Sequence, residues 1–200
     1  MFKKTRLVGI SALMIASILI TATAATYTNS RSTAEQMEQS RIWAQIDTAP
    51  APQNDEILIE GKNVTVYKDE TNRIAERYAA GDVDNGEELA ISYILRREVL
   101  YNAGIDNNFT ATDAEVQAVI QQNEEMAKNA IGREFFDEYL ETAGITEHEY
   151  WIGQSDKFKK EIVIEKYLSD IRERNNISPE EWNAFEDNWV KSLIEAEEIS

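Results

Sequence analysis

The sequence predicts a mainly α-helical module with one short β-hairpin near its start, preceded by a signal or anchor segment. Three observations carry this. A cationic start runs into a long apolar stretch, β-branched residues flank a glycine-containing turn at 57–67, and from Lys68 onward apolar residues recur at helical spacing between glycine stops and capping boxes.

Lys3, Lys4 and Arg6 precede an apolar stretch from Leu7 to Ile20, the order of a secretory signal, and Ala22-Thr23-Ala24 supplies the small side chains of a cleavage site between Ala24 and Ala25. The alternative is an uncleaved anchor, because the segment from Leu7 to Ala25 is free of charge and about long enough to cross a hydrocarbon core of roughly 30 Å. Either outcome places the remainder outside the cytoplasmic membrane, secreted or anchored at its N-terminus. Residues 25–55, with Pro50-Ala51-Pro52 near their end and one weak helical pattern from Ala34 to Ile46, read as a flexible tether. Residues 56–200 read as one helical domain closed by a helix over 178–198.

Within that domain, residues 57–67 form the hairpin. A helix carrying Ile74 and Tyr78 ends at Gly81. The next carries Leu89, Tyr93, Ile94, Arg97, Leu100 and Tyr101 until Ala103-Gly104-Ile105 stops it. Thr112-Asp113-Ala114-Glu115 is a capping box, in which the hydroxyl and the carboxylate satisfy free N–H groups at a helix start. Val116, Val119, Ile120, Met126 and Ala127 follow it. Phe135, Phe136, Tyr139 and Leu140 belong to a short helix ending at Gly144. A second box at Thr146–Glu149 opens one long helix carrying Tyr150, Trp151, Phe158, Ile162, Val163, Tyr167, Leu168 and Ile171. Ser178-Pro179-Glu180-Glu181 then begins the last helix, lined by Trp182, Phe185, Trp189, Leu193 and Ile194.

A net charge of −17 argues against nucleic acid as a partner, since phosphate-backbone binding needs a Lys/Arg surface, and leaves the N-terminal segment as the only route to a membrane. Zero cysteines remove thiol catalysis and thiolate metal sites. His148, the single histidine, sits inside a capping box and reads as surface. Asp82-Val83-Asp84-Asn85-Gly86-Glu87-Glu88 departs from a calcium loop, with glycine at the fifth position and Tyr93 in place of the bidentate glutamate. Nucleophile elbows, phosphate loops and zinc-helix motifs are missing, so the sequence names no catalytic residue, no metal ligand and no cofactor. The remaining lead is aromatic. Phe135-Phe136 and Tyr150-Trp151 are adjacent pairs, and helix neighbours point about 100° apart, so one member of each is harder to bury. Phe135, Phe136, Tyr139, Tyr150 and Trp151 are therefore candidates to line an apolar, client-binding groove.

The order of elements, with Ile59-Glu60-Gly61-Lys62-Asn63-Val64-Thr65, Ile94-Leu95-Arg96-Arg97-Glu98-Val99-Leu100, Ala103-Gly104-Ile105, Thr112-Asp113-Ala114-Glu115-Val116 and the run from Phe136 to Thr146, resembles the SurA N-terminal chaperone domain across about residues 56–171. In SurA- and PrsA-like foldases a parvulin prolyl-isomerase domain commonly follows the long helix. Here only Arg172 to Ile177 stand between that helix and the Ser178 box, and parvulin's histidines and cysteine are missing. The resemblance implies an extracytoplasmic, chaperone-like module that binds unfolded or partly folded exported polypeptides and is not an isomerase. The alternative is a surface-tethered interaction or signalling protein that holds one specific folded partner.

Overall fold

The computed structural model describes residues 31–52 and 55–199, and their architecture is mainly helical with one two-stranded antiparallel hairpin. The elements in chain order are α1 (Thr33–Thr48), β1 (Ile57–Glu60), β2 (Thr65–Tyr67), α2 (Lys68–Ala80), α3 (Gly86–Asp106), α4 (Asp113–Lys128), α5 (Arg133–Ala143), α6 (Glu147–Gly153), α7 (Ser155–Asn175) and α8 (Pro179–Ala196). The signal or anchor segment and the Ala24/Ala25 cleavage point lie outside the described residues. Among the described residues no helix is long and apolar enough to cross a membrane.

Helix α7 is the spine, because its two halves face different cores. Toward its start, Phe158 and Ile162 pack with Val116, Val119, Ile120 and Ala127 of α4 and with Trp151 of α6. Toward its end, Tyr167, Leu168 and Ile171 join Ile94, Val99 and Leu100 of α3, Val64 and Val66 of the hairpin and Val190 of α8. Phe158, Ile94, Val66 and Ile120 are at most 1% exposed, so both cores are closed to bulk solvent. The partly buried Trp182, Phe185 and Trp189 extend the second core as a stack along α8, with ring centroids 6.0 and 6.2 Å apart.

The chain closes on itself at the hairpin. Glu197, just past α8 and only 8% exposed, accepts from the Asn63 backbone N–H at 2.6 Å, while its own carbonyl accepts from the Lys62 N–H at 3.0 Å. Gly61 suits this close approach, since a Cβ there would lie 3.1 Å from the Glu197 Cβ and the neighbouring segment would have to give by a few tenths of an ångström.

Three expectations need correction. First, Ala103-Gly104 does not stop α3, which runs on to Asp106. Gly104 instead lets α3 approach α7, since a Cβ at that position would meet Val163 Cγ1 at 2.7 Å. Second, the long helix from Thr146 is broken at Gln154 into α6 and α7. Gly153 weakens the helix there, and the Ser155 hydroxyl donates to the Ile152 carbonyl at 2.6 Å. Third, much of the segment read as a tether is the docked helix α1. Ser32 caps it in a box with Glu35, and it packs along α5 and α2. The stripes also differ in detail, with Leu89 and Met126 exposed and Asn123 fully buried.

Candidate functional site

The most elaborated surface of the fold lies where α1 is laid across α2, α5 and α6. Helix α5 is built for it, because Phe136, Tyr139, Leu140 and Ala143 recur at i, i+3, i+4 and i+7 and so share one face. Gly144 then reverses the chain in the left-handed region, at φ +68°, and the Thr146–Glu149 box starts α6, which returns Tyr150 and Trp151 against α5. The result is a ring cluster, with Phe136–Tyr150 at 5.0 Å, Tyr139–Tyr150 at 5.5 Å, Phe136–Trp151 at 5.6 Å and Tyr150–Trp151 at 4.8 Å between centroids. Most of these contacts are edge-on, which suits the positive rim and negative face of the rings.

These positions revise the expectation of an open groove. Trp151 is 5% and Tyr139 9% exposed, and Phe136 and Tyr150 are half-buried within the cluster. Both members of the Tyr150-Trp151 pair find cover because α6 is wedged between two cores: Trp151 turns to α4 and α7, Tyr150 to α5 and α1. Phe135 is the member left out. It turns from the cluster to the Gly132 corner, where a Cβ on that glycine would meet its ring at 3.0 Å. Arg133 covers the remaining face of Phe136 from 5.2 Å and is held there by Asp137 and Glu147.

Helix α1 covers the cluster largely through polar groups. Its only fully buried apolar residue is Ala44, with Ile46 at 9% exposure and Trp43 half-buried. Against that stand many hydrogen bonds. Trp43 Nε1 donates to the Arg77 carbonyl at 3.2 Å, and Gln39 Nε2 and Arg31 Nη1 to the Ala80 carbonyl at 3.2 and 3.1 Å. Arg41 Nε reaches Glu138 at 2.6 Å. Asp47 is the hub: it takes the Tyr139 hydroxyl at 2.6 Å and Arg77 Nε at 3.0 Å. In return, Arg73 of α2 donates to the Ile46 and Ala49 carbonyls at 2.5 and 2.9 Å, satisfying acceptors that the end of α1 leaves open. The two antiparallel helices thus complete each other's C-terminal ends.

A band of charge continues from this rim along α3 and α7. Arg97 joins Glu70 and Glu98, and Lys160 grips Glu98 at 2.7 and 2.8 Å. Burial works against the Glu98 carboxylate, but Lys160 and Arg97 outweigh it and hold its pKa below the ordinary value. Burial lowers the Lys157 pKa; Arg77 and Arg97 push the same way, while Glu161, 3.9 Å off, and Asp47 push back. Burial and the Asp47 carboxylate both raise the Tyr139 pKa, so that hydroxyl stays protonated and serves as a donor.

Elsewhere, His148 stands exposed at the start of α6 with Nδ1 3.0 Å from Glu124. Asp82, in the segment compared with a calcium loop, is paired with Arg31. No cluster of three or more metal-ligating side chains occurs among the described residues. Comparison with protein-family models, curated proteins and solved structures finds no match.

Sequence reasoning passes over Asp47, Arg73, Arg77 and Trp43. They belong to segments with weak apolar patterning, and their pairing spans about thirty residues, beyond what local periodicity reports.

Proposed function

We propose that this chain is an extracytoplasmic, chaperone-like module that binds unfolded or partly folded exported polypeptides and has no prolyl-isomerase activity. The observation that carries the reading is the aromatic seat of Phe136, Tyr139 and Tyr150, covered by α1 in this structure and rimmed by guanidinium donors and helix-end carbonyl acceptors that α1 occupies. An unfolded chain presents apolar side chains together with unpaired backbone N–H and C=O groups. A surface that mixes rings with both donors and acceptors meets those needs without demanding one sequence. The order of hairpin, helices and a closing helix is the feature of the sequence on which the SurA-like resemblance rests. Only residues 176–178 separate α7 from α8, too short a stretch to hold an isomerase domain.

The test is aggregation of a guanidine-denatured exported protein diluted into buffer, followed by light scattering. The purified chain should suppress scattering at near-stoichiometric amounts. It should also leave a prolyl peptide isomerising no faster than an unrelated protein does. Absence of both suppression and polypeptide binding removes the reading. Capture of a single folded protein in place of unfolded chains would point to the alternative of one specific partner.

A further inference from the structure

We infer that α1 is a displaceable strap, which occupies in cis the seat on α2, α5 and α6 that an unfolded polypeptide segment takes once α1 lifts. The inference rests on the client-binding reading above and adds its regulation. What α1 puts into the seat describes the ligand: a small residue and an aromatic one, Ala44 and Trp43, followed one helical turn later by a carboxylate, Asp47. A client segment with an apolar residue for the rings and a carboxylate or backbone carbonyl for Arg77 and Tyr139 meets the same groups.

Three observations separate a strap from a permanent brace. The surface beneath α1 is rich in rings, and the helix meets it with Ala44, Ile46 and the half-buried Trp43 together with a set of hydrogen bonds. The two cores on α7 are held more by apolar burial, with Ile94 and Val66 fully buried in one and Phe158 and Ile120 in the other. Several of the polar contacts are also within reach of water: Asp47 and Arg77 keep 27% and 26% of their side chains exposed and Arg41 keeps 47%, whereas Gln39 is buried. Finally, α1 stands first among the described elements and is followed by the hairpin after residues 49–56, with Pro50 and Pro52, so lifting it pulls no other described element out of a core.

Lifting would expose the Arg73 and Arg77 guanidinium groups and the Tyr139 hydroxyl as donors, and the Arg77 and Ala80 carbonyls as acceptors. All five are occupied by α1 in the closed state. A tethered competitor acts at an effective concentration of about millimolar, so the strap scales the apparent affinity by the fraction of molecules that are open.

The chain has no cysteine, so Arg41→Cys and Glu138→Cys, whose native side chains meet at 2.6 Å, provide a unique pair that a cleavable bis-maleimide can bridge. Circular dichroism confirms that the bridged full-length chain is folded. Anisotropy of fluorescein-labelled, reduced and alkylated lysozyme then compares the bridged protein with the same protein after cleavage. The bridged form should bind about tenfold more weakly or worse. Ala44→Arg, which unseats α1, should bind more tightly than wild type. Equal affinity before and after cleavage overturns the strap and leaves the client reading standing. No binding by any form removes the client reading and the strap with it. Bridges that join two chains show that a second copy fills the seat, and they overturn the strap in cis.

Discussion

The core formed by the hairpin, α3, α8 and the end of α7 and the seat under α1 hold their parts together by opposite means. In the first, Val64, Val66, Ile94, Leu100 and Leu168 are at most 3% exposed and touch one another. In the second, the buried apolar residues of α1 are Ala44 and Ile46, with Trp43 half-buried, and much of the remaining attachment is through polar atoms of Trp43, Gln39 and Asp47 on one side and Arg73 and Arg77 on the other. Apolar burial is lost only when a core opens, whereas partly exposed ion pairs are in part replaced by water. The first region fixes the fold, and the second is the one proposed to change state.

The sharpest break of the comparison is in the core. Ile94→Ala leaves a cavity at a site with no exposure and should destabilise the whole chain by about 2–5 kcal/mol, seen as a lower urea midpoint with unchanged slope. Gly104→Ala is next. Its new methyl group meets Val163, so α3 must move off α7, at a cost of about 1–3 kcal/mol in the same assay. Trp43→Ala should behave differently. It loosens α1 by roughly 1 kcal/mol, moves the global midpoint less than either core variant, and makes residues 49–56 cleave faster under limited proteolysis. A global loss as large as that of Ile94→Ala would show that α1 belongs to the core.

The same contrast governs which parts of the fold are legible in the sequence. Helix starts at Thr112, Thr146 and Ser178 are legible because a hydroxyl and a carboxylate three residues apart are a local signal with a local cause, and the boxes form as that spacing predicts. Ser32 and Glu35 carry the signal equally well, so the start of α1 is readable too. Its docking is not, because polar contacts such as Asp47 with Arg77 leave no apolar stripe. Gly104 misleads for a related reason: a glycine that ends a helix and one that admits a neighbouring helix look alike until Val163 is known to face it. The aromatic candidates stand out as a group in the sequence, yet the wedge position of α6 that covers both Tyr150 and Trp151 depends on packing between helices far apart along the chain.

Smaller effects probe the charged band that joins the two regions. The folded pKa of Glu98 lies below its unfolded value, so the stability it lends is present above the unfolded carboxylate range and is lost as pH falls through the folded value. Glu98→Gln should therefore lower stability at neutral pH by about 1 kcal/mol and flatten the acid limb of the stability profile.

Lys157 provides the opposite sign. Its folded pKa is depressed, so in the interval between the folded and unfolded values the unfolded chain binds more protons. The penalty is in force at all pH below the folded value and is relieved as pH rises toward the unfolded one. Lys157→Met keeps the stem's packing and removes a half-buried charge that Glu161 meets at 3.9 Å. The variant should gain somewhat under about 1 kcal/mol at neutral pH, with the advantage shrinking in alkaline melts. A loss instead would mean that the ammonium group bridges Asp47 and Glu161 and ties the movable seat to the fixed core.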